Sequence, residues 1–415
     1  MEKEQHRIVV IGAGFAGVWS ALAAKRVATN NSPEKATPID IVVIAPNDQL
    51  VIRPRLYENR PETMKASLSD LFKATGIRFI KGTVDNVNTG DREVSFSDSA
   101  GIQSTIEYDR LVMAAGSRLV RPNIPGLKDH AFSVDRIDEA VQLDEHLKSL
   151  AKLPPSPARN TVVVCGGGFT GIELATELPA RLRSILGEHA DVRVVVVERA
   201  GDIGPDLGPG PRPVIEEAFK TLGVETKLGA AVTGIDVNGV TTASGERIET
   251  LTAVWTGGMA ANALTHQIAG EKDRFGRLHA DQYLRVPSAP DVFATGDMVF
   301  AATDDEGHHA LMSCQHAMIL GRASGHNAAA DLLGVPLVAY TQKTYGTCLD
   351  LGPAGAVVTS GWDREVVLTG AEAKKVKGWI NGTLIYPPKA DAEVALATAD
   401  PRWEVPQLEV ESIAA

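Results

Sequence analysis

An α/β fold built from two doubly wound βαβ units is what this chain of 415 residues predicts, and three observations carry the prediction. A run of apolar, largely β-branched residues twice meets a glycine fingerprint: Ile8-Val9-Val10-Ile11-Gly12-Ala13-Gly14-Phe15-Ala16-Gly17, then Val162-Val163-Val164-Cys165-Gly166-Gly167-Gly168-Phe169-Thr170-Gly171. Each fingerprint continues into helix-compatible sequence, Val18 to Val27 and Ile172 to Leu186. Each unit later closes on small residues, Ala114-Ala115-Gly116-Ser117 in the first and Trp255-Thr256-Gly257-Gly258 in the second. The same grammar used twice marks a divergent internal duplication.

The elements follow in order. In each fingerprint the first glycine serves a tight turn, the second lets backbone approach a pyrophosphate, and the third packs helix on strand. The helix N-terminus adds unpaired N–H groups and positive potential, so Phe15-Ala16 and Phe169-Thr170 sit where a phosphate would be held. Ile39 to Ile44 reads as the next strand of the first unit, and Tyr108 to Met113 as its closing strand. Lys152 to Arg159, with Pro154, Pro155 and Pro157, forms a stiff, helix-breaking connection before the second fingerprint. Val192 to Glu198 and a helix near Val214 to Leu222 continue the second unit. Asp291-Val292-Phe293-Ala294-Thr295-Gly296-Asp297 gives one more strand with an acid at its carboxyl end, where ligands of open parallel sheets sit.

Composition removes several classes of function. A formal charge of -11 leaves no global basic field for nucleic acid or anionic lipid. The first strand begins so near Met1 that a secretory leader has no room, which makes a cytoplasmic protein the expectation. No stretch approaches the roughly 18 apolar residues of a membrane span. Only Cys165, Cys314 and Cys348 occur, without a C-x-x-C pair, so neither a zinc ribbon nor a local redox disulfide can be drawn, and no metal is expected. Cys165 ends a strand, where a small apolar residue fits.

The order of these motifs, with Glu173 after the second fingerprint and Thr295-Gly296-Asp297 near the end, resembles the two-dinucleotide-binding flavoprotein oxidoreductases of the pyridine nucleotide-disulfide oxidoreductase superfamily. Lacking the redox disulfide, it is most similar to type II NADH dehydrogenases, from about Arg7 to about Val358, including Ala45-Pro46-Asn47-Asp48 and Arg53-Pro54-Arg55-Leu56-Tyr57. The resemblance implies an FAD-binding domain over 1–125 and 261–335, an inserted NAD(P)H-binding domain over 126–260, and a C-terminal α+β segment over 336–415 for acceptor, dimer or membrane contact. It implies that Gly12, Gly14 and Gly17 cradle FAD, with Arg53, Ala115, Gly116 and Gly296 beside it and Asp297 on the ribityl chain. An N-cap is the competing role for Asp297. The acid that usually ends the second strand is replaced by Ala45, and Asn47 or Asp48 stands in for it.

In the inserted domain Gly166, Gly168 and Gly171 match the NADH loop and Gly257 its closing turn. Glu198 ends the strand Val194 to Val197, where a carboxylate accepts ribose hydroxyls and repels a 2′-phosphate, favouring NADH over NADPH; a solvated strand-end charge is the alternative. Glu173 lies in a first helical turn whose positive potential a pyrophosphate would already occupy. The resemblance places it near the nicotinamide as the catalytic residue, against ordinary helix-start stabilisation. Hydride transfer from NADH to flavin then needs orientation and dryness from the protein more than side-chain chemistry.

The acceptor is less sharply written. Where type II enzymes carry A-Q-x-A-x-Q at the quinone site, this chain has Cys314-Gln315-His316-Ala317-Met318-Ile319. Gln315 and Ala317 agree; Ile319 departs. A quinone or quinone-like small molecule is the leading acceptor, against an iron-sulfur protein or a redox-sensing role without turnover. Lys374-Lys375-Val376-Lys377-Gly378-Trp379-Ile380 reads as a small basic, aromatic patch, and the acidic, proline-dotted tail lacks a long apolar face, so contact with membrane is at most peripheral. A homodimer stays open. His308 and His309 read as water-facing residues of a polar loop.

Overall fold

The computed structural model describes residues 5–31 and 38–404. The end of the acidic tail expected beyond residue 404 lies outside the described residues.

The first sheet has six strands in the order Arg285–Val286, Ala289–Ala294, Arg110–Met113, His6–Ile11, Ile39–Ala45 and Arg78–Lys81. All neighbours run parallel except the outer pair, Arg285–Val286 with Ala289–Ala294. The central strands read as unbroken apolar runs because both faces are covered. Val9 and Val10, for example, are fully buried. Each such valine contributes about 1.5–3 kcal/mol by leaving water.

The second sheet repeats the plan with five parallel strands, in the order Ala131–Phe132, Thr252–Trp255, Thr161–Cys165, Arg193–Val197 and Val224–Lys227. In both sheets the fingerprint strand lies between the next strand and the closing strand, as in Ile8 paired with Ile41 and Arg110, or Val163 with Val195 and Ala253. That is the place where parallel sheets reverse direction and open a crevice beyond their strand ends. The exit and return of the chain between the sheets pair with one another, Ser117–Leu119 antiparallel to Met259–Ala261. The fold is therefore the predicted α/β arrangement, with the second unit inserted in the first.

The proline-rich connection is less extended than its composition implies. Pro157–Asn160 forms one helical turn, with the Ser156 hydroxyl accepting from the Arg159 N–H at 3.2 Å. Proline is tolerated there because the first helical N–H has no partner to lose.

A helix the composition did not advertise completes the first unit. Cys314–Leu333 lies along the fingerprint helix Phe15–Asn30 through Gly321 and Gly325. A Cβ on Gly321 would come within 2.5 Å of the Ala16 carbonyl oxygen, and one on Gly325 would collide with that of Ser20. Ser20 and Ser324 hydroxyls meet at 3.0 Å in this dry seam.

Three antiparallel strands, Gly346–Asp350, Ala356–Ser360 and Glu365–Thr369, lead into the helix Gly370–Trp379. The chain then folds back: the Arg322 guanidinium stands 3.8 Å from the Trp19 ring and 4.8 Å from Trp403, while Arg26 pairs with Asp400. Among the described residues no helix is long and apolar enough to cross a membrane.

Candidate nucleotide and acceptor site

The two glycine cradles share one geometry. Gly12 has φ +107° and Gly166 φ +124°, a region open to glycine and strained for other residues. A Cβ on Gly12 would lie 2.5 Å from the Ala114 oxygen, and on Gly166 2.7 Å from the Thr256 hydroxyl. A Cβ on Gly17 would strike the Gly12 carbonyl, and one on Gly171 that of Gly166. Around the middle glycines, Gly14 and Gly168, nothing lies within 4 Å of such a Cβ. First and third glycines are thus consumed by protein packing, and the middle one faces free space at a helix N-terminus. Phe15, Ala16, Phe169 and Thr170 form the first helical residues behind these openings.

The remaining residues expected around the first cradle gather at the strand ends. Asp297 lies in the 3-10 turn Gly296–Met298, and its carboxylate caps no helix. It accepts from the Ser117 hydroxyl at 2.6 Å and stands 3.9 Å from Arg53, whose guanidinium also binds Asp135 and the Ser117 oxygen (2.9 Å). Burial pushes the Asp297 pKa up, against the hydrogen bond from Ser117 and the charge of Arg53. The Ala115 N–H meets the Met298 sulfur at 2.9 Å, and Gly116 follows. A Cβ on Gly296 would press on that of Ala16 at 2.8 Å. Asn47 is exposed and accepts from the Gln49 N–H at 3.2 Å, and Asp48 binds the Ser69 hydroxyl, so both are engaged in their local turns.

Glu198 is not a solvated charge. It is 6% exposed, and its two oxygens accept from the Gly167 N–H at 2.6 Å and the Ala200 N–H at 2.8 Å. The carboxylate thus lies against the second cradle and fixes the loop that forms it. Gly257 follows Trp255, whose ring would be 2.8 Å from a Cβ on that glycine.

Glu173 has partners that the sequence did not reveal. It is 3% exposed and pairs with Lys377 at 2.7 Å, while the Asp350 N–H donates to it at 3.0 Å. Lys377 also donates to the Cys348 carbonyl at 3.0 Å. Asp350 accepts from the Tyr57 hydroxyl at 3.0 Å and pairs with Lys374, which reaches Glu177 at 3.6 Å. Burial pushes the Glu173 carboxyl up to about 7, partly offset by Lys377 and the Asp350 N–H. Lys377 is held above its ordinary value by Glu173 despite its own burial. Glu173 therefore does not cap its helix; an ammonium from the C-terminal helix balances it.

That pairing corrects the expected basic patch. Lys374 and Lys377 turn into this acidic cluster, and Lys377 is 5% exposed. A buried ammonium is stable only when so paired; Lys377 is buried and Lys374 half-buried, while Lys375 stays exposed as the sequence suggests. Burial raises the Cys314 thiol to about 11 and Cys348 to about 12, so neither is a ready nucleophile. All three cysteines are free.

Gln315, on the first turn of Cys314–Leu333, is half-buried. The preceding loop only partly meets its expectation: His308 and His309 keep partial exposure, yet His308 stacks on Trp362 and His309 on Phe300, with centroids 4.6 and 4.1 Å apart. The aromatic partners lie too far along the chain for local polarity to signal them.

The sequence profile of the pyridine nucleotide-disulphide oxidoreductases matches residues 6–321. An NADH dehydrogenase-like protein of Mycobacterium tuberculosis is 44% identical over 402 residues, spanning 95% of this chain and 98% of that protein. A demethylphylloquinone reductase of Synechocystis sp. is 28% identical over 367 residues, spanning 86% of this chain and 88% of that protein. In fold, NDH2 from Plasmodium falciparum in complex with NADH superposes with a TM-score of 0.75 at 15% identity, covering 97% of this chain and 99% of that one. The matched family defines a nucleotide-dependent oxidoreductase, here built on two βαβ units. The chain belongs to the pyridine nucleotide-disulphide oxidoreductase family and is an NAD(P)H oxidoreductase, similar to NADH dehydrogenase-like proteins.

Proposed function

We propose that the chain is an FAD-dependent NADH:acceptor oxidoreductase whose acceptor is a quinone or quinone-like ring. The observation that carries this reading is the pair of cradles, alike in which glycines are packed shut and which one opens. Two such openings suit two pyrophosphates. Gly12, Gly14 and Gly17 with Asp297, Arg53, Ala115, Gly116 and Gly296 would hold FAD; Gly166, Gly168, Gly171 and Gly257 would hold the nicotinamide nucleotide. Bound flavin supplies a hydride acceptor for NADH and an electron donor for the ring.

The chain's own part is positioning and charge. Helix N-terminal N–H groups bind phosphate. Glu198, already oriented by two backbone N–H groups, offers its remaining lone pairs to ribose hydroxyls and opposes a 2′-phosphate, which favours NADH. Glu173, with a carboxyl poised near neutrality and sealed from water, can orient the nicotinamide or hold a proton close to it. Gln315 would meet the acceptor from the helix Cys314–Leu333. Support for a quinone comes from the related demethylphylloquinone reductase and from the half-matched motif at Gln315 and Ala317.

Stopped-flow mixing tests the proposal. Purified protein should carry non-covalent FAD, bleach with NADH, and recover its colour with menadione. Protein that stays colourless after incubation with FAD would overturn the reading. Gln315→Leu should slow recovery by menadione more than it slows bleaching by NADH; equal slowing would make Gln315 structural.

A further inference from the structure

The helix start that carries Gln315 also carries an aromatic cluster with an imbalance. Trp362, in the turn between Ala356–Ser360 and Glu365–Thr369, is sandwiched by His308 (4.6 Å, 2°) and Tyr345 (4.6 Å, 21°), and His316 leans on Tyr345 and Trp362 at 5.2 and 6.0 Å. Stacking satisfies ring faces but leaves the N–H edges to find partners. His316 is fully buried. The Ser313 oxygen accepts the His316 backbone N–H at 3.3 Å and shares a hydrogen bond with His316 Nδ1 at 3.0 Å. Burial, with Arg277 and Arg364 nearby, pushes the imidazole down to about 4. The ring is therefore neutral near pH 7.

His316 Nε2 has no partner among the described residues, and neither do Trp362 Nε1 or Arg364 Nη1, all three buried. Arg364 lies 5.3 Å from the Tyr345 centroid and makes no ion pair with a described carboxylate. Asp363 and Glu365 beside it are exposed, and Asp304 is taken by His308 at 2.6 Å. The hairpin tip is also fixed from behind, since a Cβ on Gly210 of the second unit would collide with the Arg364 carbonyl. The Tyr345 hydroxyl takes one hydrogen bond from Arg364, while Arg364 Nη1 and Trp362 Nε1 beside the same phenol ring find no acceptor among the described residues. Buried donors left unpaired are costly, so such a set is retained where a ligand brings the acceptors.

We infer that this cluster recognises the ring acceptor through a negatively charged oxygen substituent, such as a carboxylate, a sulfonate or an ionised hydroxyl on an aromatic ring. The inference deepens the acceptor reading above and rests on it. The stack of His308, Trp362 and Tyr345 holds the N–H edge of Trp362 in place, and Arg364 would meet the charge with the planar fork that suits oxyanions.

The test compares two acceptors on the FAD-loaded full chain, anionic 1,4-naphthoquinone-2-sulfonate and neutral menadione. Arg364→Gly suits the site's backbone, since Arg364 has φ +56°. It should lower the rate of flavin recovery with the sulfonate by about 10-fold or more relative to menadione, as expected for a lost charge-assisted hydrogen bond. Arg364→Lys should restore part of that ratio, and Trp362→Phe, which keeps the stack and removes one N–H, should move it the same way as Arg364→Gly. Redox-inert naphthalene-2-sulfonate gives a second readout by calorimetry: its Kd should rise about 10-fold or more in Arg364→Gly. An unchanged ratio and Kd, or equal loss with both quinones, would mean that water satisfies these donors and would overturn the inference. If neither quinone restores colour to the wild-type chain, the acceptor reading itself falls.

Discussion

At Glu173 two energies oppose each other, the cost of burying a carboxylate and the attraction of Lys377 at 2.7 Å. The carboxyl titrates near 7, so below that pH it is neutral and the pair contributes little; above it the ion pair is formed. Lys377→Met should therefore be nearly neutral in stability at about pH 5.5 and cost about 2 kcal/mol at about pH 8.5, because Glu173 without its partner stays protonated and forgoes about 1.4 kcal/mol per pH unit above 7. Urea titrations at the two pH values check this, and a deficit independent of pH would contradict it. Glu198→Ala carries a second expectation. Losing a carboxylate held by the Gly167 and Ala200 N–H groups should move kcat/KM at least about 10-fold from NADH toward NADPH, the scale of one charge-assisted hydrogen bond. An unchanged ratio would place the ribose elsewhere. Both acids were legible because helix and strand ends announce themselves in sequence. Lys377 was not, because nothing local marks a lysine that will meet a helix of another unit.

Among the elements, the fingerprint makes a sharp contrast within three residues. Gly14→Ala meets no protein atom, so its stability should stay within about 0.5 kcal/mol while FAD affinity falls; Gly17→Ala meets the Gly12 carbonyl and should cost about 1–3 kcal/mol or more. Denaturation curves on FAD-free protein separate the two, and equal losses would sink the division of labour between the glycines. The strands were readable because parallel strands covered on both faces leave long β-branched runs such as Val194 to Val197. The seam of Phe15–Asn30 with Cys314–Leu333 was not, since close approach through Gly321, Gly325, Ser20 and Ser324 uses small residues that carry no apolar stripe.

For the molecule as a whole, duplicated motifs fixed the architecture while the C-terminal segment stayed obscure, as its roles depend on distant partners. The fold-back shows this. Arg322 is packed between Trp19 and Trp403, and burial lowers its pKa to about 10. Trp403→Ala should cost about 1–2 kcal/mol by removing one desolvated cation–π contact. Thermal melts would show it, and an unshifted melting temperature would mean that Trp19 and the Thr398 carbonyl, 2.8 Å from Arg322 Nε, suffice.

The insertion of one sheet in another also sets a timetable for synthesis. Every strand of the second sheet lies between Ala131 and Trp255, whereas the first sheet waits for Ala289–Ala294 and its covering helix for Leu333. On the ribosome the second unit can close while the first still exposes one edge of Arg110–Met113, an edge open to mispairing until its neighbour emerges. Nascent chains stalled with Gln267 just clear of the exit tunnel should already protect residues 131–255 from protease, yet hold no flavin.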